Sequence, residues 1–167
     1  MTVGQAGVLF GGLTALAGVI GTFGGGFLGD AWARRDRGAY MKLSGLGLVL
    51  AVPFTVVAPF VAGLGASLAL FFLAEVLVFL NTGPLNAALI ASARPRVREV
   101  AVGLNILCIH LFGDAISPQI IGYAYDVLSG RGMAAVSARS LTIAATALPL
   151  LVGGLVVLYG ARTFRDE

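Results

Sequence analysis

Five apolar runs divide the chain, at about Gln5–Ala31, Ala39–Val61, Ala66–Ser92, Arg98–Tyr125 and Ser140–Ala161. Each exceeds the roughly 20 residues that a helix needs to cross a bilayer. The connections WARRDRG, AGLG and RPRV are short, and only VLSGRGMAAVSAR is longer. This pattern predicts an all-α integral membrane protein, a single membrane domain over residues 1–167 whose main partner is the lipid bilayer. Composition points the same way. Of the 167 residues, 58% are hydrophobic and 11% are charged, against about 25% charged in an ordinary soluble domain, and the mean hydropathy is +0.95.

The net charge of +3 does not mark a nucleic-acid surface, because the basic residues sit in clusters between the apolar runs. They read instead as a topology signal. With the first loop in the cytoplasm, that side holds Arg34, Arg35, Arg37, Lys42, Arg94, Arg96, Arg98, Arg162 and Arg165, and the other side holds only Arg131 and Arg139. The expected orientation is therefore N-terminus outside and C-terminus cytoplasmic, in a plasma membrane such as a bacterial inner membrane. The opening MTVGQAG lacks the positive start of a signal peptide. An outside N-terminus on such a helix, together with an odd number of spans, predicts a truncated chain or one part of a split assembly. The single cysteine, Cys108, rules out an intramolecular disulfide.

Polar residues inside the runs are the candidate chemistry. At about 100° per residue, Gly103, His110, Asp114 and Ser117 share one face of the fourth run. Ionisable groups in a span are costly and normally face a bundle interior or a watery cavity, so this face either lines a cavity or holds helices together. Pro118 should kink or loosen the turn before it. In the third run, Glu75, Thr82 and Asn86 share a face. Glu75 is a candidate proton site or a hydrogen-bonded structural residue, and Pro84 predicts a weak point. His110, Asp114, Glu75, Ser117 and Asn86 are the candidate substrate and proton-pathway residues.

The first run spaces Gly18, Thr22 and Gly26 by four, and Gly21, Gly25 and Gly29 likewise, the spacing at which spanning helices approach closely. At its basic end, Asp30 can cap a neighbouring helix N-terminus or pair with Arg34 one turn on, with the start of the fourth run (Arg96, Arg98, Glu99) as its expected partner surface. Such a contact can act as a conformational latch, or be an ordinary interfacial ion pair worth little. The second run, with Pro53 and Pro59, reads as scaffold or a lipid-facing helix with a bend, and the fifth, with Thr142, Thr146 and Pro149, reads as packing.

Enzymatic and cofactor chemistry find no support. No Gly-rich phosphate loop stands beside a lysine, so nothing points to an ATP-driven pump. One His and one Cys do not make a zinc site of usual spacing, so no metal or cofactor is expected. His110, Asp114 and Ser117 lie on one helical face and cannot converge as a hydrolase triad.

Two stretches resemble known patterns. GFLGDAWARR resembles the G-x-L-x-D-(basic) signature of the major facilitator superfamily, with Gly26, Leu28, Asp30, Arg34 and Arg35 at matching positions and Ala31 where a basic residue is usual. HLFGDAISPQIIGYAYD resembles the penultimate helix of the spinster-like branch, through His110, Gly113, Asp114, Ser117, Pro118, Ile121, Gly122 and Asp126. GGLTALAGVIGTFGGGFLGD is similar to the helix preceding the signature in that branch. The resemblance implies helices eight to twelve of a twelve-helix transporter, a partial C-terminal half of a major facilitator fold that works by alternating access. It implies a small amphipathic or anionic, lysolipid-like solute, proton coupling, and a partner in the missing N-terminal half or a second copy. His110 would lie near an anionic headgroup, Asp114 or Glu75 would change protonation, and Gly26, Asp30, Arg34 and Arg35 would form the latch. A non-transporting fragment or accessory subunit, and a drug or metabolite exporter of the same superfamily, are the alternative expectations.

Overall fold

A computed structural model describes residues 2–163, and Arg165 of the basic cluster lies outside the described residues. The fold is all-helical, with five stretches long and apolar enough to cross a membrane: Gly4–Ala33, Ala39–Phe60, Leu64–Ser92, Pro95–Gly130 and Ala135–Arg162. This is an integral membrane protein. The first span is one helix, α1 (Val3–Ala33), opened by a reciprocal cap between Thr2 and Gln5. The second is α2 (Ala39–Val57), closed by a 3₁₀ turn, Ala58–Phe60. The third is split into α3 (Leu64–Phe79) and α4 (Thr82–Ser92). The fourth comprises α5 (Arg98–Cys108), a π-helix (Ile109–Ala115) and α6 (Ser117–Gly130). The fifth is α7 (Ala135–Ala145) followed by α8 (Ala147–Thr163).

Prolines account for these interruptions. A proline has no N–H for the carbonyl four residues earlier, so the helix must repair itself there. Pro84 leaves the Leu80 carbonyl without its donor, and α3 gives way to α4 at Leu80–Asn81. Pro149 does the same to Ala145, and α7 ends there. Before Pro118 the chain widens into the π-helix. The fourth span runs on to Gly130 and the fifth begins at Ala135. The connection between them is therefore a short turn through Gly132, whose φ of +85° is open to glycine at little cost, and much of VLSGRGMAAVSAR is helical.

The interior is built from small residues. The buried hydrophobic side chains among the described residues are alanines, including Ala17, Ala51, Ala58, Ala74, Ala88, Ala138 and Ala147, while Phe23, Phe27, Leu50 and Val156 point outward. Lipid offers large apolar side chains as good a home as a protein core does, so close backbone approach, not side-chain burial, holds spans together. The first and third spans meet along one glycine stripe. A Cβ at Gly21 would lie 2.6 Å from the Val76 carbonyl oxygen, one at Gly25 would overlap the Leu80 carbonyl, and one at Gly29 would lie 3.2 Å from Pro84 Cγ. The second span packs against α1, α3 and α8. It meets α8 through Gly45 and Gly154, where a Cβ at Gly45 would stand 2.8 Å from the Gly154 carbonyl oxygen. Two serines close the far end of α2: Ser67 donates to the Ala58 carbonyl at 2.8 Å and Ser140 to the Pro59 carbonyl at 2.9 Å.

The fourth span is different. It packs through its ends, α5 against α4 and α6 against α7, and none of its residues is buried.

The glycine stripe sets a test. Gly25→Ala drives a methyl group into a carbonyl that cannot turn away, and we expect a loss of about 1–3 kcal/mol, the usual cost of overpacking. Gly24→Ala meets open space and should stay within about 0.5 kcal/mol of the parent. Thermal unfolding in detergent micelles reads both, and equal stability of the two variants would refute the close approach.

Candidate functional site

Two polar centres stand inside the spans. The first is on the π-helix. His110 Nδ1 and Asp114 Oδ2 are 2.6 Å apart, and both side chains are largely exposed, at 67% and 68%. Among the described residues neither makes another hydrogen bond. Four-residue spacing puts them on adjacent turns, and the wider π turn keeps them adjacent. The Ser117 hydroxyl faces the Phe112 carbonyl at 3.5 Å, a weak contact that helps the helix recover before Pro118. π-turns inside helices are frequent at functional sites.

Ser117 also borders a cavity of about 430 Å³ between α6 and the fifth span. Its walls are almost wholly apolar, with Ile120, Ile121 and Pro149 among them, and Ser117, Thr142 and Thr146 supply hydroxyls. The face thus joins a polar, hydrogen-bonded pair to an apolar pocket one turn away.

The second centre is Glu75. Thr14 Oγ1 of the first span donates to Glu75 Oε1 at 2.9 Å, whereas Oε2 is shielded from solvent and has no partner. Asn86 does not join it. The Asn86 amide turns back to the Thr82 carbonyl at 2.9 Å, and Asn81 likewise serves Val78. The break at Leu80–Asn81 separates the two polar positions that an unbroken helix would align.

At the basic end the partner of Asp30 is neither Arg34 nor the start of the fourth span. Tyr40 donates its hydroxyl to Asp30 Oδ1 at 2.9 Å. The reason is local. Helix α1 stops at Ala33, so Arg34 is its C-cap and Arg35 lies in the turn that follows. That turn brings α2 back so that the Tyr40 ring lies over Gly29. Arg98 is occupied with the Ala93 carbonyl at 3.2 Å. The ion pair at this end joins Lys42 to Asp36 instead. Gly26 touches the third span, where Gly83 approaches its Cα. Sequence reasoning passed over Thr14, Asp36 and Tyr40. Nothing local singles out Thr14 or Tyr40, although Asp36 among arginines was a visible signal. Among the described residues no three His, Cys, Asp or Glu side chains gather in a way that could hold a metal ion.

Comparison with known proteins gives this geometry a context. The chain is 33% identical over 122 residues to "Probable sphingolipid transporter spinster homolog 3" of Arabidopsis thaliana, covering 73% of this chain and 24% of that one. It is 31% identical over 121 residues to protein spinster homolog 1 of Xenopus tropicalis (71% and 23%), and 33% identical over 130 residues to protein spinster homolog 3 of Homo sapiens (74% and 25%). This chain is a distant homologue of a portion of the spinster proteins. It spans about a quarter of the length of these curated relatives. No family model matches it.

The π-helix offers the second test. Pro118→Ala returns an N–H to the Asp114 carbonyl, and one regained hydrogen bond is worth about 1 kcal/mol. Amide exchange over Ile109–Ala115 should slow by roughly fivefold on that figure. Unchanged exchange would mean that something other than the missing donor holds the widened turn.

Proposed function

We propose that this chain is part of a secondary transporter that moves a small amphipathic, anionic solute of the lysolipid class by alternating access, coupled to protons. The observation that carries the reading is the uncovered His110–Asp114 pair beside an apolar cavity, on a span with no buried residue. Charged groups at this depth are expensive against lipid and normally face a cavity or a partner. His110 suits an anionic headgroup and the cavity beside Ser117 suits an acyl chain, which together describe an amphipathic ligand. The printed name of the plant relative, a sphingolipid transporter, supports the same solute class. Transporter sites lie between repeats near the bilayer midplane, so the open face is completed by further helices, from an N-terminal half or a second copy. Asp30, held by Tyr40 in this packing, is the residue free to change partners when the spans move.

Reconstitution into proteoliposomes tests this. Labelled lysophospholipid should be taken up when the chain is paired with the N-terminal half of a spinster relative, faster with an inward pH gradient. His110→Ala and Asp114→Asn should each lower uptake at least tenfold, roughly 1.4 kcal/mol of lost transition-state stabilisation, with membrane insertion intact. Normal uptake by both variants would remove these residues from the pathway. The same exposed face would also serve an accessory subunit that docks without transporting, and folded protein inactive in every pairing decides for that reading.

The proposed orientation is N-terminus outside and C-terminus cytoplasmic in the plasma membrane, supported by the Lys and Arg distribution. In a Cys108→Ala background, Arg131→Cys should react with an impermeant maleimide on intact cells, and Arg37→Cys only after permeabilisation. The opposite pattern would invert the topology.

A further inference from the structure

The contact between the first and third spans has a regular register. Phe10 meets Phe71 edge to face, with ring centroids 5.9 Å apart. Thr14 meets Glu75 at 2.9 Å. Gly18 lies under the Phe79 ring, where a Cβ would stand 3.7 Å from it. Each rung is one helical turn from the next on both spans, so the carboxyl is a single polar rung between two aromatic ones. One of its oxygens is shielded from solvent without a partner.

Among the described residues, no positive charge stands beside the carboxyl. The elements packed against α3 are α1, α2 and the 3₁₀ turn Ala58–Phe60, and their titratable side chains are Asp30, Tyr40 and Lys42. Asp30 lies sixteen residues beyond Thr14 on the same helix, roughly 24 Å along the axis at 1.5 Å per residue. Tyr40 and Lys42 open α2, at the end opposite Ala58, whose carbonyl Ser67 of α3 binds. At the shielded Oε2 a carboxylate here would have no hydrogen bond and no counter-charge, the arrangement that proteins avoid. The neutral acid leaves only a carbonyl-type oxygen unsatisfied. A hydroxyl can donate or accept, so the Thr14 contact serves the acid as well as the anion.

We infer that Glu75 is a proton-binding site, a neutral carboxylic acid held between the first and third spans, whose proton leaves only when those spans part enough to admit water at Oε2. This names the carrier for the proton coupling proposed above, and it rests on that reading for its role in transport alone. The site couples protonation to helix packing: the acid lets the spans close, and the anion requires them open.

The full chain in lipid nanodiscs tests this without any transport. Infrared spectra at neutral pH should contain the carbonyl band of a protonated carboxylic acid, lost in Glu75→Gln and shifted but retained in Thr14→Val. Dicyclohexylcarbodiimide, which partitions into lipid and attacks protonated carboxyls, should modify Glu75 in the unsubstituted chain. A water-soluble carbodiimide with an amine should modify Glu99 at the start of α5 and spare Glu75. Absence of the acid band in protein of unchanged helicity, or labelling of Glu75 by the water-soluble reagent as fast as Glu99, would overturn the inference. Because neither readout needs solute movement, the proton site can fail while transport stands, and transport can fail while the proton site stands.

Discussion

A carbonyl that a proline leaves without its helical donor has to be received somewhere, and here a glycine receives it. Pro84 releases the carbonyl of Leu80, and the backbone at Gly25 takes it at a distance that no side chain would allow. In water such a group would simply be hydrated. In a bilayer an unsatisfied backbone group costs several kcal/mol, so the contact, with its weak Cα–H donors, sets how α1 lies on the third span. Once Gly25 is seated on Leu80, Gly21 falls on Val76 and Gly29 on Pro84. The Thr14–Glu75 and Phe10–Phe71 rungs follow two and three turns further along. The half-buried Glu75 carboxyl thus shares one register with the carbonyl that Pro84 releases.

The same logic extends through the second span. Its contact with α8 relies on Gly45 and Gly154 as the first span's contact relies on Gly25, and alanines fill what remains. Large side chains on the outside and small ones within invert the order of a water-soluble protein, because the solvent is itself apolar. The fourth span takes no part in this. It has no glycine pressed against a neighbour: Gly103, Gly113 and Gly122 all face open space. The span with the least packing carries the most polar chemistry, which is what a surface reserved for another molecule requires.

The spans and the glycine spacing were legible because both are one-dimensional signals: run length and a repeat of four. The spinster relationship was legible from the cluster around His110 and Asp114 for the same reason. What local sequence did not contain was the choice of partners. Thr14 answers Glu75 across 61 positions, and only the register of two helices decides that. Asp30 takes Tyr40 because α1 stops at Ala33, one residue short of offering Arg34 a helical turn. Pro118 announces a missing donor, but whether the helix answers with a kink, a break or a π-turn depends on its surroundings. Pro84 and Pro149 are answered by a break and Pro118 by a π-turn, and Pro53 sits inside α2 without ending it.

Two carboxylates in one membrane domain have been given opposite environments. Glu75 is half-buried, with a hydroxyl on one oxygen and the other oxygen shielded without a partner. Asp114 is open, with an imidazole against it. Neither member of that pair has another hydrogen bond among the described residues, so the pair can part without disturbing the packing of the spans. The link proposed at Glu75 is to helix packing instead. One exposed and divisible, the other wedged between two spans, the two carboxyls have different neighbours, open space for Asp114 and an adjoining helix for Glu75, and the function proposed for this chain divides their work along that line.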